Sequence, residues 1–216
     1  MPIIKCLAAA VVMVLGVEAG LFRTQETPCS LPDIDLDDEI DQLLEKLPKD
    51  FIPIVWRGFQ YFLPGLEIGN LNVTGMNKIK RYGPVVPYCM KAESMVQVDL
   101  VNMGEVALTV PWRICSGQEG TATLHAEYSR FTAHLVFDKE GSSGKYLAWT
   151  DRFPTLPVMT HNIEFVVKGL GKGGEIASFV MSKLITTGFQ DLWKKGFFVN
   201  FRKAMLRALQ ENNEVI

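Results

Sequence analysis

The sequence from Phe189 to Leu209 reads FQDLWKKGFFVNFRKAMLRAL, and its pattern is the strongest indication of the fold. Large apolar side chains recur in it at every fourth position, as expected for one face of an α-helix. They are Phe189, Trp193, Phe197, Phe201, Met205 and Leu209. Apolar residues at helical spacing precede the stretch, so the pattern predicts a helix from about Ile176 to Asn212, roughly 55 Å long if unbroken. So many large aromatic side chains require a sheet that wraps the helix.

Glycines punctuate this region. The glycine-rich run from Gly169 to Gly174 predicts a flexible hinge before the helix. Gly188 and Gly196 each weaken a helix by about 1 kcal/mol, so the sequence leaves open a bend at either position.

The sheet is predicted by the segment between Ile68 and Val167, where the hydrophobic period falls to about two. Five runs follow this period: 68–80, 88–101, 105–114, 121–137 and 146–165. Turn residues at 102–104, 116–120 and 141–144 predict hairpin connections between antiparallel strands. Because each strand has one apolar side, the sheet must be covered, and the C-terminal helix is the predicted cover.

The N-terminal part supplies a shorter helix. Apolar residues at helical spacing follow an acidic first turn from about Asp33 to Lys46, and Pro48 ends the pattern. The next segment, Phe51 to Leu66, is aromatic and interrupted by prolines, and no element is assigned to it. The predicted fold is α+β, with a curved antiparallel sheet wrapped around a long C-terminal helix and a shorter N-terminal helix.

The first residues predict the compartment. Residues 1–19 have the pattern typical of a signal peptide: the basic Lys5, an apolar run from Cys6 to Val17 and the small residue Ala19 at the end. The apolar run is shorter than the roughly 20 residues that a spanning helix needs, although an uncleaved anchor is the alternative. We therefore expect a secreted, extracellular chain with one domain over residues 20–216.

Composition limits the partners. The 216 residues are 48% hydrophobic and 21% charged, with a formal net charge of −2. A disordered chain is excluded, and the balanced charge argues against nucleic acid as a partner. Affinity is expected to come from apolar surface.

Three cysteines would remain after cleavage: Cys29, Cys89 and Cys115. Thiols tend to pair in an oxidising compartment, so one disulfide and one free thiol are expected. Cys89 and Cys115 flank the hairpin predicted near Met103-Gly104 and are the favoured pair. Pairing of Cys29 with either is the rival.

Secretion gives meaning to the sequon Asn72-Val73-Thr74, which predicts N-glycosylation of Asn72. Asn72 would then face water while Val73, one residue on, faces inward. An unused sequon is the alternative.

The common motifs of catalysis are absent from the sequence. It contains no Gly-x-Ser-x-Gly elbow and no His-Glu-x-x-His pair, and the glycines at 169–174 lack the ending of a phosphate-binding loop. The histidines His125, His134 and His161 are far apart and no Cys-x-x-Cys occurs, so no metal or cofactor is expected. A non-enzymatic protein is predicted.

Two stretches resemble a known family. Residues 70–83, NLNVTGMNKIKRYG, and the ending that contains Phe189-Gln190-Asp191 and Phe201-Arg202-Lys203 resemble the first strand and final helix of the mite group 7 allergens. The likeness covers about residues 33–213. Cys89 and Cys115 are not part of that family's pattern.

The resemblance implies a module of the tubular lipid-binding (TULIP) superfamily, with a lipid-like ligand in an apolar groove or tunnel and no catalytic residues. Together with the apolar excess on both layers, it predicts binding of a lipid or hydrophobic small molecule between sheet and helix. The expected lining residues are Val96, Val98, Val110, Trp112, Phe189, Trp193 and Phe197. A dry core made of the same residues is the competing interpretation.

The alternative function is that of an extracellular innate-immune recognition protein, which binds bacterial lipid and hands it to a protein partner, with transient membrane contact. The basic residues Lys78, Lys80 and Arg81 would steer an anionic headgroup. An ordinary solvated surface explains the same residues.

Overall fold

The computed structural model of the chain describes residues 35–90, 93–137, 147–150, 152–184 and 186–211. Over these ranges the protein is α+β, with three α-helices and one antiparallel sheet of eleven strands. The predicted α+β class is confirmed. The predicted signal peptide and Cys29 lie outside the described residues.

The elements follow one another along the chain with these bounds. They are α1 (Leu36–Glu45), β1 (Asp50–Phe51), β2 (Gln60–Leu63), β3 (Leu66–Ile68), β4 (Asn72–Thr74), a 3-10 turn (Met76–Lys78), β5 (Lys80–Arg81), β6 (Val86–Met90), β7 (Glu93–Asn102), β8 (Ala107–Ile114), β9 (Glu119–Phe137), β10 (Leu147–Trp149), β11 (Leu156–Lys168), α2 (Gly171–Leu184) and α3 (Thr186–Glu211).

Strand β9 is the axis of the sheet. Its 19 residues span about 60 Å, far more than a typical strand. On one edge β8 pairs with residues 119–125 and β7 with residues 129–136, while β11 occupies the other edge along residues 121–132. Strand β10 pairs with the C-terminal end of β9. The other strands extend the sheet beyond β7 and β8.

The prediction of a hairpin at residues 102–104 is wrong. Strands β7 and β8 do not pair with each other but lie one after the other along the same edge of β9. The turn instead joins two halves of one interrupted strand. Asn102 stabilises it, because its Oδ1 accepts hydrogen bonds from the backbone amides of Glu105 and Val106 at 3.1 and 3.3 Å. The hairpin predicted at residues 116–120 is present, since it joins β8 to β9.

Other predicted strand bounds are also corrected. The run 88–101 is two strands, β6 and β7, which pair as a hairpin with Tyr88 opposite Met95. The runs 68–80 and 146–165 are each divided between elements.

Helix α3 covers the inner face of the second half of β9. The ring of Phe131 lies 5.2 Å from that of Phe197 and 5.0 Å from that of Phe201, centroid to centroid. Trp193 is fully buried and its Nε1 lies 3.5 Å from Ser129 Oγ. The aromatic stripe read from the sequence is therefore the centre of the core.

The C-terminal helical region begins earlier than predicted. Helix α2 starts at Gly171, so most of the run 169–174 is helical, and its positive φ angles lie at its beginning, 100° at Gly169 and 74° at Gly171. Helix α3 continues through Gly188 and Gly196. A Cβ placed on Gly196 would lie 2.8 Å from Leu108 Cδ1, so this glycine lets the helix approach the sheet closely.

Helix α1 forms as the sequence predicts. The Asp35 carboxylate caps it by accepting hydrogen bonds from the amides of Asp37 and Asp38 at 3.1 and 3.2 Å. Its apolar face, including Ile40 and Leu43, is buried in the core.

Candidate functional site

An apolar groove of about 360 Å³ opens on the inner face of the sheet, beside the first turns of α3 and next to the start of α2. Its lining comes from hairpin β2–β3, from β8, β9 and β11, and from the residue before α2. The ten lining residues are Phe62, Leu66, Ile68, Val110, Trp112, Ile114, Ala122, Phe165, Val167 and Leu170. Every one of them is apolar.

The groove floor follows from strand periodicity and register. Val110, Trp112 and Ile114 are alternate residues of β8 and so share one face. Val110 lies opposite Ala122 of β9, and Ala122 lies opposite Val167 of β11. Three adjacent strands therefore turn apolar side chains to the same side.

One wall is the β2–β3 hairpin, which is held against β8. In the β3–β8 register Ile68 lies opposite Trp112 and Glu67 lies opposite Arg113. The side chains of Glu67 and Arg113 also form an ion pair. The guanidinium of Arg113 also lies 4.5 Å above the ring of Phe59. These contacts fix the wall although Phe62 at its tip remains 61% exposed.

Gly120 makes room for the largest side chain of the groove. It lies opposite Trp112 in the β8–β9 register. A Cβ at Gly120 would lie 2.8 Å from Trp112 Cζ2 and only 1.9 Å from the backbone oxygen of Lys168. Because no side chain projects there, the indole packs over β9 and is 6% exposed.

The predicted lining residues divide between groove and core. Val110 and Trp112 line the groove. Phe189 is half-buried, and its ring stacks on that of Phe165 with 4.9 Å between the centroids. This stacked pair lies between the groove and the core. The other four are at most 1% exposed and belong to the packed core: Val96, Val98, Trp193 and Phe197. They lie there because α3 crosses the half of the inner face that β7 helps to form.

The other eight residues of the groove lining were not among those predicted from the sequence. Phe165 and Val167 were detectable, since they alternate on one strand in the same way as Val110 and Trp112. Phe62 was not, because the segment that contains it carries no clear period.

A polar cluster lies on the opposite, outer face of the sheet. Thr132 Oγ1 donates to Asp99 Oδ1 at 2.6 Å, and Arg130 forms an ion pair with the same carboxylate. Burial disfavours the charge on Asp99, but these two hydrogen bonds outweigh it and lower the pKa of Asp99. His134 Nδ1 lies 3.0 Å from the hydroxyl of Tyr88, and burial lowers the pKa of His134 and raises that of Tyr88. Most polar atoms of the cluster satisfy one another, although Arg130 Nε is buried without a hydrogen-bond partner among the described residues.

The sequon lies on the same outer face. Asn72 pairs with Thr109 in β4–β8, and Val73 beside it is fully buried on the inner side, so the predicted alternation is present. The Asn72 side chain is half-buried, and its Oδ1 is covered without a partner among the described residues. Its glycosylation stays a prediction.

The predicted disulfide between Cys89 and Cys115 is wrong. Cys115 carries a free, exposed thiol, while Cys89 is disulfide-bonded. The two residues lie at opposite ends of the β7–β8 edge, about 60 Å apart along the strands. They would meet only if β7 and β8 formed a hairpin, which they do not.

The basic cluster is partly neutralised. Arg81 forms ion pairs with Asp37 at 3.0 Å and Asp41 at 2.8 Å, both from α1. The hydrogen bond to Asp41 is the main cause of the raised pKa of Arg81. Lys78 and Lys80 are exposed. One of the three cations thus serves to fasten α1 to the sheet.

Within the described ranges no helix is long and apolar enough to cross a membrane. In the same part of the chain no group of three or more His, Cys, Asp or Glu side chains is arranged to hold a metal ion. Comparison with family models and with curated proteins finds no match for this sequence.

Proposed function

We propose that this protein binds a lipid or another hydrophobic small molecule in the β8–β9–β11 groove and performs no catalysis on it. The observation that carries this proposal is the groove itself, about 360 Å³ in volume and lined by ten apolar residues. Binding sites for small apolar molecules have this size and character.

The energetic reason is the cost of leaving the groove open. Phe62 and Leu170 at its rim remain 61% and 45% exposed. Covering apolar surface contributes about 25 cal/mol for each Å² removed from water. A flexible apolar chain laid across the floor formed by Val110, Ala122 and Val167 would gain this energy without reorganising the core.

The finer architecture supports the same function. A sheet whose inner face packs on α3, preceded by the short helix α1, is similar to the arrangement expected of a TULIP-like module. We infer that the sheet curves around α3, with the groove as the uncovered end of the same inner face. The resemblance of residues 70–83 and of the ending to the mite group 7 allergens agrees with this inference.

We also infer that the protein acts outside the cell. The support is the signal-peptide pattern of residues 1–19 and the sequon at Asn72. Expression of the full chain in cultured eukaryotic cells should deliver it to the medium, with an electrophoretic shift on deglycosylation that Asn72→Gln abolishes. Retention in the cell pellet would refute secretion.

The decisive experiment is ligand uptake by a variant with a filled groove. Ala122→Phe places a phenyl ring on the floor, and Thr121→Phe places the same ring on the outer face of the same strand. Both variants are first checked for folding by circular dichroism. Uptake of a fluorescent fatty-acid analogue should fall at least tenfold in Ala122→Phe and stay unchanged in Thr121→Phe.

Mass spectrometry of organic extracts from the purified wild-type protein complements this titration, with a mock purification as the control. A stoichiometric lipid would identify the natural ligand class. Absence of both co-purified lipid and probe uptake would refute the proposed function. Equal uptake by the two phenylalanine variants would place the binding elsewhere on the protein.

A further inference from the structure

The β2–β3 hairpin presents large apolar side chains to solvent at consecutive positions. Tyr61, Phe62 and Leu63 are 86%, 61% and 55% exposed. The sequence from Gly58 to Leu66 contains no charged residue. Adjoining exposed apolar side chains of this kind are typical of surfaces that contact a partner or a membrane.

These side chains lie on both faces of the hairpin. Tyr61 lies opposite Glu67, whose carboxylate pairs with Arg113 on the outer side of the sheet. Phe62 lines the groove on the inner side. A protein surface packed against the hairpin would cover one of these faces, whereas a fluid lipid phase surrounds both.

The open edge of β2 is poorly suited to an added protein strand. Within the described ranges β2 pairs with β3 alone, so its other edge is unpaired. However, β2 has only four residues, and its register shifts between Tyr61 and Leu63. Short and bulged edge strands resist pairing with another chain. The two-sided apolar surface and the irregular edge together favour lipid as the occupant.

The hairpin is held in place by its neighbours. At its turn, the oxygen of Gly65 accepts a hydrogen bond from the amide of Cys115 at 3.2 Å. Near its base, Asn70 Oδ1 accepts a hydrogen bond from the amide of Trp56 at 2.6 Å, and Asn70 Nδ2 donates to the oxygen of Trp56 at 3.3 Å. The indole of Trp56 is itself partly exposed. Tryptophan and tyrosine are the residues enriched at membrane–water interfaces.

We propose that the β2–β3 hairpin docks the protein on a lipid bilayer by inserting Tyr61, Phe62 and Leu63 among the lipids. The four residues of β2 span about 13 Å, enough to reach the roughly 5–10 Å depth at which interfacial segments lie. Phe62 belongs both to the hairpin and to the groove lining, so docking places the groove mouth at the bilayer surface. That placement rests on the proposed function, whereas docking itself does not.

The test is co-sedimentation of the full chain with phosphatidylcholine vesicles, without added ligand. The variant is Tyr61→Ser/Leu63→Ser, which changes two exposed residues outside the groove lining. Its matched control is Val158→Ser/Met159→Ser, which removes two consecutive exposed apolar side chains from β11. The wild-type protein and the control should bind equally, and the hairpin variant at least tenfold more weakly, as expected for two lost apolar contacts.

Several outcomes of this experiment would overturn the inference. They are absence of vesicle binding by the wild-type protein, equal losses in the two double variants, and binding that requires anionic phosphatidylserine and disappears in high salt. A concentration-dependent dimer in analytical ultracentrifugation that Tyr61→Ser/Leu63→Ser abolishes would assign the hairpin to a second copy of the chain instead. Because no ligand is present, each of these results leaves the proposed function standing.

A second readout keeps the hairpin sequence intact, so it is independent of how well the variant folds. A nitroxide attached to the exposed thiol of Cys115, which contacts the hairpin turn, should become more accessible to oxygen when phosphatidylcholine vesicles are added. The control label is Met103→Cys in a Cys115→Ser background, about 25 Å away along β8. Its accessibility should stay unchanged, and an equal increase at both positions would overturn docking through the hairpin.

Discussion

The volume of the groove sets a limit on chain length that can be measured. At about 30 Å³ for each small group, 360 Å³ holds roughly twelve carbon-sized groups. Affinity for a homologous series of straight-chain lipids should therefore rise with chain length up to about twelve carbons and then level off. Further carbons would project past Phe62 and Leu170 into water.

The slope of that rise follows from burial. Each buried methylene contributes about 0.8 kcal/mol, which corresponds to a gain of up to about fourfold in affinity, reduced by the entropy of ordering the chain. From six to twelve carbons the total gain should thus exceed a hundredfold. Ala122→Phe adds six carbons to the floor, so the plateau should move to roughly six carbons in a groove that cannot expand.

Competition with an environment-sensitive fluorophore measures the series, and the exposed thiol of Cys115 offers a second reporter. Cys115 follows Ile114 of the groove lining, and its amide donates to the Gly65 oxygen at 3.2 Å. A dye attached there should respond to ligands that reach the rim. Affinity independent of chain length, or rising steadily beyond sixteen carbons, would refute the assignment of this groove as a site of defined volume.

Three further predictions concern stability and chemistry. Phe131→Ala should lower the free energy of unfolding by about 3–5 kcal/mol in urea titrations, because Phe131 is fully buried among the rings of α3. Acidification should destabilise the fold in two steps. Burial lowers the pKa of His134 in the folded state, so the unfolded chain binds the proton more readily and stability falls as the pH drops below the ordinary value of 6.5. The lowered pKa of Asp99 adds a second loss below its ordinary value of 3.8. Finally, a thiol reagent should label Cys115 in the native protein without reductant, and Cys89 should react only after reduction.

Each of these predictions has a matched control. Phe198→Ala should lower the free energy of unfolding by less than Phe131→Ala does, because Phe198, beside Phe131, is only half-buried. His134→Gln should flatten the step below pH 6.5 and leave the step assigned to Asp99. Labelling in Cys115→Ser should be absent before reduction. A loss of under 1 kcal/mol in Phe131→Ala would contradict the packing of this ring in the core. An unaltered pH profile in His134→Gln would contradict the role of His134 in the first step. Labelling of Cys89 in the native state would contradict its disulfide.

Local features of the chain were predictable because their cause is local. Residues around Ile40 repeat at helical spacing between an acidic first turn and Pro48, and α1 forms there. The four-residue row from Phe189 to Leu209 predicts α3 and identifies its buried side, including Trp193. Such patterns reflect only which face of an element avoids water, and that face is the same whatever partner covers it.

The tertiary structure decides which strands pair and which apolar residues lie in the core or in the groove. Val96 and Val110 have the same local pattern, alternate apolar residues on a strand, yet Val96 is in the core and Val110 lines the groove. The difference depends on which half of β9 is crossed by α3, a contact between residues far apart in sequence. The same long-range pairing along β9 keeps Cys89 and Cys115 apart. The elements and their apolar faces thus follow from local patterns in the chain. Which apolar residues stay uncovered depends on the tertiary structure, because distant segments supply the cover.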